Sequence, residues 1–290
     1  MTSKVRKSVH LSCACLGFMS FHLTAWAQKP TIPPAIPKIS AAPGTVVRWS
    51  APGTLRCGTK GRSWEAVQGT CYYPLDLDQV PGAVIAVSRT SRGAAVNGRI
   101  TIDKVDYGTE DIALPDIPQA NPSAADLKRV ARDRTQLGAI FNRKEGPPKF
   151  TLPLAPPARP LPPEKSFGVK RLFNGKPDSQ PHTGVDYATP IGSPVLAVAD
   201  GTVVMAQNMF FEGNAVFINH GNGLFSMYFH LADIGVQVGQ EVKTGHVLGR
   251  VGSTGRATGP HLFFGIRWHG ARIDPRFVLE EPSRIPSLSL

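Results

Sequence analysis

The chain has 290 residues, of which 41% are hydrophobic, and it carries a formal net charge of +11. This length permits two domains. The basic residues are not interleaved with aromatic residues and no nucleic-acid-binding module is recognisable, so the sequence predicts no nucleic-acid partner. Beyond the N-terminus, no segment approaches the roughly 20 apolar residues that a membrane helix needs, so no membrane span is predicted in the mature chain.

The N-terminus has the pattern of a secretory signal. Lys4, Arg6 and Lys7 precede a mostly apolar stretch that ends in Ala25-Trp26-Ala27. A basic region, a short apolar region and a small-x-small end are typical of a signal peptide. We therefore expect residues 1–27 to be removed and the protein to be exported.

Two of the four cysteines, Cys57 and Cys71, lie beyond the predicted signal. Cys13 and Cys15 lie within it, in a context that matches a lipoprotein box poorly. In an exported chain a lone pair is most simply a disulfide, which would contribute roughly 3 kcal/mol on the chain-entropy model. A free or metal-binding pair is the alternative.

Composition divides the mature chain into segments. Residues 28–44 form a Pro-rich leader, and short apolar runs between turns predict an accessory β domain over residues 45–145. Within it, Ser123-Ala124-Ala125-Asp126 resembles a capping box, and apolar residues follow at helical spacing. A helix is predicted over about 123–141, packed on the neighbouring domain, with partner binding as the alternative.

The second half begins with a Pro-rich segment. Eight prolines between residues 147 and 163 predict a semi-rigid linker over 146–165. Residues 166–280 are rich in glycine and short β runs without a convincing helix, and residues 281–290 are left as a tail. The predicted fold class is mainly β, with two domains.

Alternation along two of these strands predicts which side chains share a face. Over 225–230, the apolar face is predicted to carry Phe225, Met227 and Phe229, and the polar groove face to carry Ser226, Tyr228 and His230. Over 261–268, the buried set is Leu262, Phe264, Ile266 and Trp268, and the groove set is His261, Phe263, Gly265 and Arg267. His220 and His246 lie in predicted turns and are expected to be surface histidines.

Two motifs in this region carry metal-binding residue types. His182 and Asp186 form an H-x-x-x-D motif, and His261-Leu262-Phe263 looks like an H-x-H motif whose last histidine is replaced by Phe263. A catalytic zinc ion takes three protein ligands of this kind and leaves one position to water. The pattern indicates a zinc hydrolase that lacks one ligand.

The order and spacing of the motifs resemble the lysostaphin-type, or LytM-type, zinc metallopeptidases, which cut peptide bonds in peptidoglycan. The motifs are Arg171-Leu172-Phe173-Asn174-Gly175, His182 to Asp186, Ala199-Asp200-Gly201, Met227 to Leu231, Gly252 to Gly255 and Gly259-Pro260-His261. The resemblance implies an antiparallel β groove with one Zn²⁺. It makes His182 and Asp186 zinc ligands, makes His230 and His261 non-ligand catalytic histidines, and places the third ligand at Phe263, whose ring cannot coordinate a metal.

The chemistry that the resemblance implies is amide hydrolysis. Zinc acidifies its bound water and polarises the scissile carbonyl, while an imidazole moves protons. On the predicted groove face, Tyr228 could bind the developing oxyanion and Arg267 could bind carboxylates of the wall peptide. A packed tyrosine and a solvated arginine are the alternatives.

Two function classes stay open from the sequence. The first is an exported peptidoglycan metalloendopeptidase, weakened by Phe263, in the periplasm or at the surface of a bacterium. The second is a catalytically degenerate module that binds peptidoglycan peptide stems or activates another wall hydrolase. Retention of His182, Asp186, His230 and His261 favours the first class, and Phe263 favours the second.

Overall fold

Short strands separated by glycine turns build the N-terminal half of the molecule. The computed structural model describes residues 35–142 and 146–289, so the predicted signal peptide and residues 28–34 of the leader lie outside the described residues. The strands of this half are β1 Lys38–Ala41, β2 Val46–Ser50, β3 Thr54–Thr59, β4 Arg62–Glu65, β5 Thr70–Pro74, β6 Val84–Ser91, β7 Ala94–Ile102 and β8 Thr109–Ile112. One sheet has the order β1-β7-β6-β3-β4, and β2 pairs with β5.

A disulfide joins β3 to β5 inside the core of this half. Cys57 and Cys71 are bonded, with their Cα atoms 5.3 Å apart, as the sequence predicted. Both cysteines are buried beside Trp49, Tyr73 and Ile100. The cross-link therefore closes a core that is otherwise small.

One long helix, α1 (Ala124–Phe141), separates the two halves along the chain. Its N-terminus is a reciprocal capping box, because the Ser123 side chain accepts from the Asp126 N–H and the Asp126 carboxylate accepts from the Ser123 N–H. Ile140 is buried against the C-terminal sheet, and the ring of Phe141 meets those of Phe217 and Phe225 at 6.3 and 5.3 Å. The helix thus packs on the C-terminal sheet.

The Pro-rich segment after the helix is packed, which differs from the semi-rigid spacer that its composition predicted. Phe150, Leu152, Leu154 and Ala158 are buried in the main core of the C-terminal half. The backbone N–H of Leu154 donates to the Val278 carbonyl at 2.7 Å. Apolar residues between the prolines supply this packing, and a proline count does not register them.

The C-terminal half is built on a nine-stranded sheet. Its strands, together with the short strands β9 and β10, are β9 Lys170–Phe173, β10 Lys176–Pro177, β11 Val185–Tyr187, β12 Pro194–Leu196, β13 Gly201–Met209, β14 Gly213–Asn219, β15 Leu224–Ile234, β16 Glu241–Val242, β17 Val247–Val251, β18 Leu262–Trp268 and β19 Ala271–Ile273. The main path of the sheet runs β11-β18-β15-β14-β13-β16. A four-residue helix, α2 (Arg276–Leu279), and a 3₁₀ turn, Pro282–Arg284, follow.

The chain after residue 280 returns to the N-terminal half. The N–H of Leu288 donates to the Arg48 carbonyl and the N–H of Arg48 donates to the Pro286 carbonyl, both at 2.8 Å. Leu288 is buried in the N-terminal core. The predicted tail is therefore part of the fold, and residues from Ala35 onward cluster as one unit.

Pairing of β15 with β18 corrects the predicted faces of β15. Tyr228 lies opposite Phe264, and Phe229 lies opposite Phe263. Because directly opposed residues share a face, Tyr228 points into the core and Phe229 into the groove, the reverse of the prediction. The predicted faces of β18 are correct, since Leu262, Phe264, Ile266 and Trp268 are fully buried in the core.

His230 still reaches the groove because the strand carries an extra residue there. Tyr228 pairs with Val216 and Leu231 pairs with Asn214, so three steps on β15 oppose two steps on β14. His230 has a φ of 63°, in the left-handed region. This β-bulge turns His230 onto the same face as Phe229, which simple alternation forbids.

Neither helix within residues 35–142 and 146–289 combines the length and the apolar composition that crossing a bilayer requires.

Candidate active site

The two predicted ligands of the first motif lie at the edge of the sheet. Strand β11 pairs with β18 so that Asp186 lies directly opposite Phe263. His182, four residues earlier, places its Nε2 3.3 Å from Oδ1 of Asp186. Its Nδ1 lies 3.0 Å from the carbonyl oxygen of Ser166, and the Ser166 hydroxyl accepts the Asp186 N–H at 3.2 Å. The loop before β9 therefore fixes the His182 ring and the backbone of Asp186.

Arg171 neutralises Asp186. Its Nη2 donates to Oδ2 of Asp186 at 2.7 Å, while its Nε lies 3.5 Å from the carboxylate of Glu110. Burial alone would raise the pKa of Asp186, but the adjacent His182 and the positive charge of Arg171 hold that pKa below its usual range. The sequence reasoning used Arg171 only as part of a motif and missed this contact, which pairs one carboxylate oxygen and leaves the other facing the groove.

The two predicted catalytic histidines face each other across the groove. The rings of His230 and His261 are 4.7 Å apart, and Nε2 of His261 lies 3.7 Å from Oδ1 of Asp186. Nδ1 of His230 lies 2.8 Å from the Thr254 carbonyl oxygen, and Nδ1 of His261 lies 2.9 Å from that of Gly259. Burial, reinforced by His261, lowers the pKa of His230 to about 4, so His230 is neutral at pH 7.

Phe263 fills the corner where the resemblance requires a third ligand. Its ring stacks on Phe229 with centroids 4.4 Å apart and planes 2° from parallel, and it meets the His182 ring at 5.3 Å. A Cβ atom added at Gly184 would lie 2.5 Å from Cζ of Phe263. The ring is 6% exposed and is therefore enclosed by its neighbours.

These residues do not fit a zinc ion held by the family's three ligands. Nε2 of His182 and Oδ1 of Asp186 are buried without an aligned hydrogen-bond partner, as two metal-ligand atoms would be in the absence of the ion. Phe263 supplies no metal-ligand atom at the third ligand position. In the part of the chain that the structure describes, no group of three His, Cys, Asp or Glu side chains forms a preformed metal site.

A cavity of about 630 Å³ contains the whole site. His182, Asp186, His230, His261 and Phe263 all line it, together with the helix α1 residues Val130, Asp133, Leu137 and Phe141. The Asp133 carboxylate accepts the Phe210 N–H at 3.0 Å, which fixes this part of the helix beside the groove. The sequence reasoning placed the helix on a neighbouring domain but gave no sign that it forms a wall of the site.

The two weaker candidates for substrate binding, Arg267 and Tyr228, lie on opposite faces of the sheet. Arg267 lines the cavity, where its guanidinium lies 4.4 Å from the Phe141 ring centroid and its Nε donates to the Gly270 carbonyl at 3.0 Å. Tyr228 is fully buried on the opposite face, and its hydroxyl accepts the Val198 N–H at 3.1 Å. The prediction that Tyr228 faces the groove is wrong, because the bulge after it exchanges the two faces of β15.

His220 is also placed differently from its prediction. It is 0% exposed, with Nδ1 2.8 Å from the Asp200 carbonyl oxygen and Nε2 2.7 Å from the Ser226 hydroxyl. Burial lowers its pKa to about 4. A turn sequence predicted a surface histidine, but the backbone of this turn is hydrogen-bonded to Gly146 and Lys149 and the His220 ring is buried. His246 is exposed, as predicted.

Comparison with known proteins places the site within a described family. The model of Peptidase family M23 matches residues 180–275. The peptidoglycan DD-endopeptidase ShyA of Vibrio cholerae is 46% identical over 99 residues, which is 34% of this chain and 23% of ShyA. The DD-carboxypeptidase/endopeptidase Mpg of Neisseria meningitidis is 47% identical over 94 residues, which is 32% of this chain and 22% of Mpg. The match thus spans about a quarter of the length of these relatives.

A solved structure extends the likeness beyond this segment. A Pseudomonas aeruginosa protein assigned to peptidase M23 superposes with a TM-score of 0.61 at 28% identity, over 82% of this chain and 94% of that one. The likeness therefore includes the N-terminal half as well as the groove. Residues 180–275 of this chain therefore match Peptidase family M23 in sequence, and the mainly β fold and the motif order described above agree with that match.

Proposed function

We propose that the groove binds peptide stems of bacterial peptidoglycan and does not hydrolyse them through a three-ligand zinc site. Relatives named as peptidoglycan endopeptidases, 46% and 47% identical over this domain, support the substrate class. The observation that carries the second half of the proposal is the Phe263 ring, stacked on Phe229 in the third ligand position.

The groove offers both polar and apolar contacts for a peptide. Oδ1 of Asp186 is a buried acceptor that faces the groove without an aligned partner, suited to an amide N–H donor of the ligand. Phe229, Phe263 and Phe141 form an apolar floor and wall for short side chains. A carboxylate acceptor beside aromatic rings matches an extended peptide, whose backbone amides alternate with its side chains.

A weak zinc endopeptidase is the second candidate, and one observation favours it. His230 and His261, the imidazoles that the resemblance makes catalytic, remain 4.7 Å apart beside Asp186. A site abandoned for long would be expected to lose such residues. The two candidates differ in whether wild-type protein releases wall fragments.

The test compares the chain without residues 1–27 as wild type, Phe263→His and His182→Ala, each assayed for bound zinc, for co-sedimentation with purified sacculi and for release of wall fragments. We expect wild type to co-sediment with sacculi and release no fragments, and Phe263→His to bind zinc more tightly. Val238→His, which adds a histidine at a side chain 59% exposed outside the cavity, controls for adventitious zinc.

Two outcomes would contradict the proposal. Stoichiometric zinc with fragment release by wild type, at the level of Phe263→His, would establish the enzyme. Failure of wild type to sediment with sacculi would remove peptidoglycan as the ligand.

We also propose that the protein is exported, as the signal-like N-terminus and the peptidoglycan-directed relatives suggest. N-terminal sequencing of protein recovered from outside the cytoplasm should give Gln28 as the first residue. Recovery of the intact N-terminus from the cytoplasm would contradict export.

A further inference from the structure

We propose that Arg267 binds a carboxylate of the wall peptide, and that this carboxylate is the free C-terminus of a stem. The ligand is then a peptide whose short apolar side chains precede a terminal carboxylate. The inference deepens the proposed function and rests on its premise that the groove binds peptide stems. It adds which part of the stem the groove distinguishes.

Arg267 faces the cavity without a carboxylate partner. Its Nε donates to the Gly270 carbonyl at 3.0 Å, and in the part of the chain that the structure describes its two Nη atoms form neither a hydrogen bond nor an ion pair. Burial and the positive charge of Arg272, which lies opposite on β19, lower the pKa of Arg267. An arginine stays charged under such conditions, so its charge is left uncompensated.

The carboxylates beside the cavity are committed to other partners. Those in ion pairs are Asp76 and Asp78 with Arg272, Asp178 with Arg256, and Asp186 with Arg171. Asp133 accepts the Phe210 N–H, and Glu212 lies at the other end of the groove, where its carbonyl accepts the His230 N–H. A ligand carboxylate can therefore pair with Arg267 without displacing an internal ion pair.

The ring of Phe141 holds the guanidinium of Arg267 in place. The Arg267 Cζ lies 4.4 Å from the centroid of this ring, which itself packs edge-on against Phe225 at 5.3 Å. The ring covers one face of the guanidinium, and Gly270 takes its Nε. The edge formed by the two Nη atoms remains, and that edge matches the two oxygens of a carboxylate.

An apolar stretch of the groove leads from Phe263 to Arg267. The opposed pairs along it are Phe263 with Phe229, Gly265 with Met227, and Arg267 with Phe225. A Cβ atom added at Gly265 would lie 2.7 Å from Cε of Met227 and 3.0 Å from Cε1 of Phe263, so these side chains close over the glycine. Four strand residues span about 13 Å, which is also the length of about four residues of an extended peptide.

The groove is bounded at Arg267. Phe141 and Arg267 line both the main cavity and a second cavity of about 310 Å³, which Arg62, Asn142 and Gly270 also line. The two side chains therefore separate the cavities. A peptide lying along the apolar stretch meets this boundary with its end, which suits a terminal carboxylate better than the side chain of an internal residue.

The experiment measures binding of a fluorophore-labelled synthetic stem pentapeptide ending in D-alanyl-D-alanine, by fluorescence anisotropy, to the chain without residues 1–27. The peptide is used as the free acid, as the C-terminal amide, and with a free C-terminus but amidated internal carboxylates. The proteins are wild type, Arg267→Gln, Arg267→Lys and the control Arg132→Gln, which removes an exposed arginine of α1 outside the cavity. Thermal unfolding establishes that each variant is folded.

We expect wild type and Arg132→Gln to bind the free acid at least about tenfold more tightly than the C-terminal amide, as one charge-assisted pair implies. Arg267→Gln should bind both forms equally, near the affinity of wild type for the amide. Arg267→Lys should keep part of the preference, because lysine retains the charge but not the planar fork. Amidation of the internal carboxylates should leave the affinity of wild type unchanged.

Three results would overturn the inference: no binding of the free acid by wild type, equal binding of acid and amide by wild type, or a full preference for the acid in Arg267→Gln. A loss of affinity on amidating the internal carboxylates alone would remove the C-terminus as the group bound. Sedimentation with sacculi is measured separately, so wild type that sediments without an acid preference would sink the inference and leave the proposed function standing. Wild type that prefers the acid through Arg267 but does not sediment would sink the proposed function instead.

Discussion

The two faces of the β15–β18 strand pair differ in whether their buried polar atoms have hydrogen-bond partners. On the core face, Ser226 and Tyr228 are 0% exposed, and each polar side-chain atom has a partner. On the groove face, Nε2 of His182 and Oδ1 of Asp186 are buried and lack an aligned one. The difference teaches that burial of a polar group does not by itself indicate function, and that a buried polar atom without a partner calls for an explanation of its own.

A chain of four contacts completes the core face. The Asp200 carbonyl oxygen lies 2.8 Å from Nδ1 of His220, whose Nε2 lies 2.7 Å from the Ser226 hydroxyl. The Ser226 and Tyr228 hydroxyls are 3.0 Å apart, and the Val198 N–H donates to the Tyr228 hydroxyl at 3.1 Å. A fully satisfied network of this kind favours one packing of the core.

The largest expected effect contrasts two neighbouring phenylalanines of β18. Phe264→Ala should lower the free energy of unfolding by about 3–5 kcal/mol, because a fully buried ring leaves a cavity in the core. Phe263→Ala should cost less, about 1.5–3 kcal/mol, because the space it leaves joins the open groove. Chemical denaturation of both variants measures the difference, and an equal or larger loss for Phe263→Ala would show that its ring belongs to the core.

The next effect is the pH dependence of stability that His220 contributes. Its pKa is lowered to about 4 in the folded state, so between pH 6.5 and 4 the unfolded chain binds the extra proton. The contribution of His220 to the free energy of unfolding is therefore fully present above pH 6.5. It is lost as the pH falls to 4, and the loss is about 3 kcal/mol. Denaturation from pH 7 to 4 should show a shallower loss in His220→Gln than in wild type, with His246→Gln as control. Parallel slopes in His220→Gln and wild type would contradict this role.

The smallest effect tests the corrected position of Tyr228. Tyr228→Phe removes the acceptor of the buried Val198 N–H, which should cost about 1–3 kcal/mol. Sedimentation with sacculi should not change, because the hydroxyl lies on the core face. Loss of sacculus binding in a folded Tyr228→Phe protein would show that Tyr228 faces the groove.

Alternation could predict β18 but not β15, for a physical reason. A two-residue period holds only along a regular strand, and the bulge between Tyr228 and Leu231 puts His230 out of phase with residues 224 to 228, all of which are buried. Helix α1 covers the second face, with Ile140 beside Phe217, Phe225 and Met227. This contact joins residues far apart in sequence, so no local sequence pattern predicts it.

The motif residues were easier to place than their surroundings. The motifs, read through the family resemblance, predicted that His182, Asp186, His230, His261 and Phe263 share one site, and all five line the same cavity. The Arg171–Asp186 ion pair and the stacking of Phe229 on Phe263 depend on register between strands. Register is fixed by the folded sheet and the bulge at His230, and neither can be read from composition or periodicity.

The return of the last residues to the N-terminal half has a practical consequence for dissecting this protein. Cutting at residue 280, just after the matched M23 segment, would remove Leu288, which is 2% exposed in the N-terminal core. It would also leave the backbone groups of Arg48 without the partners that residues 286 and 288 supply. Starting an expressed fragment at residue 166 would discard helix α1 and with it one wall of the groove. A fragment that is to keep both the site and its supports therefore has to include helix α1 and residues 286–288.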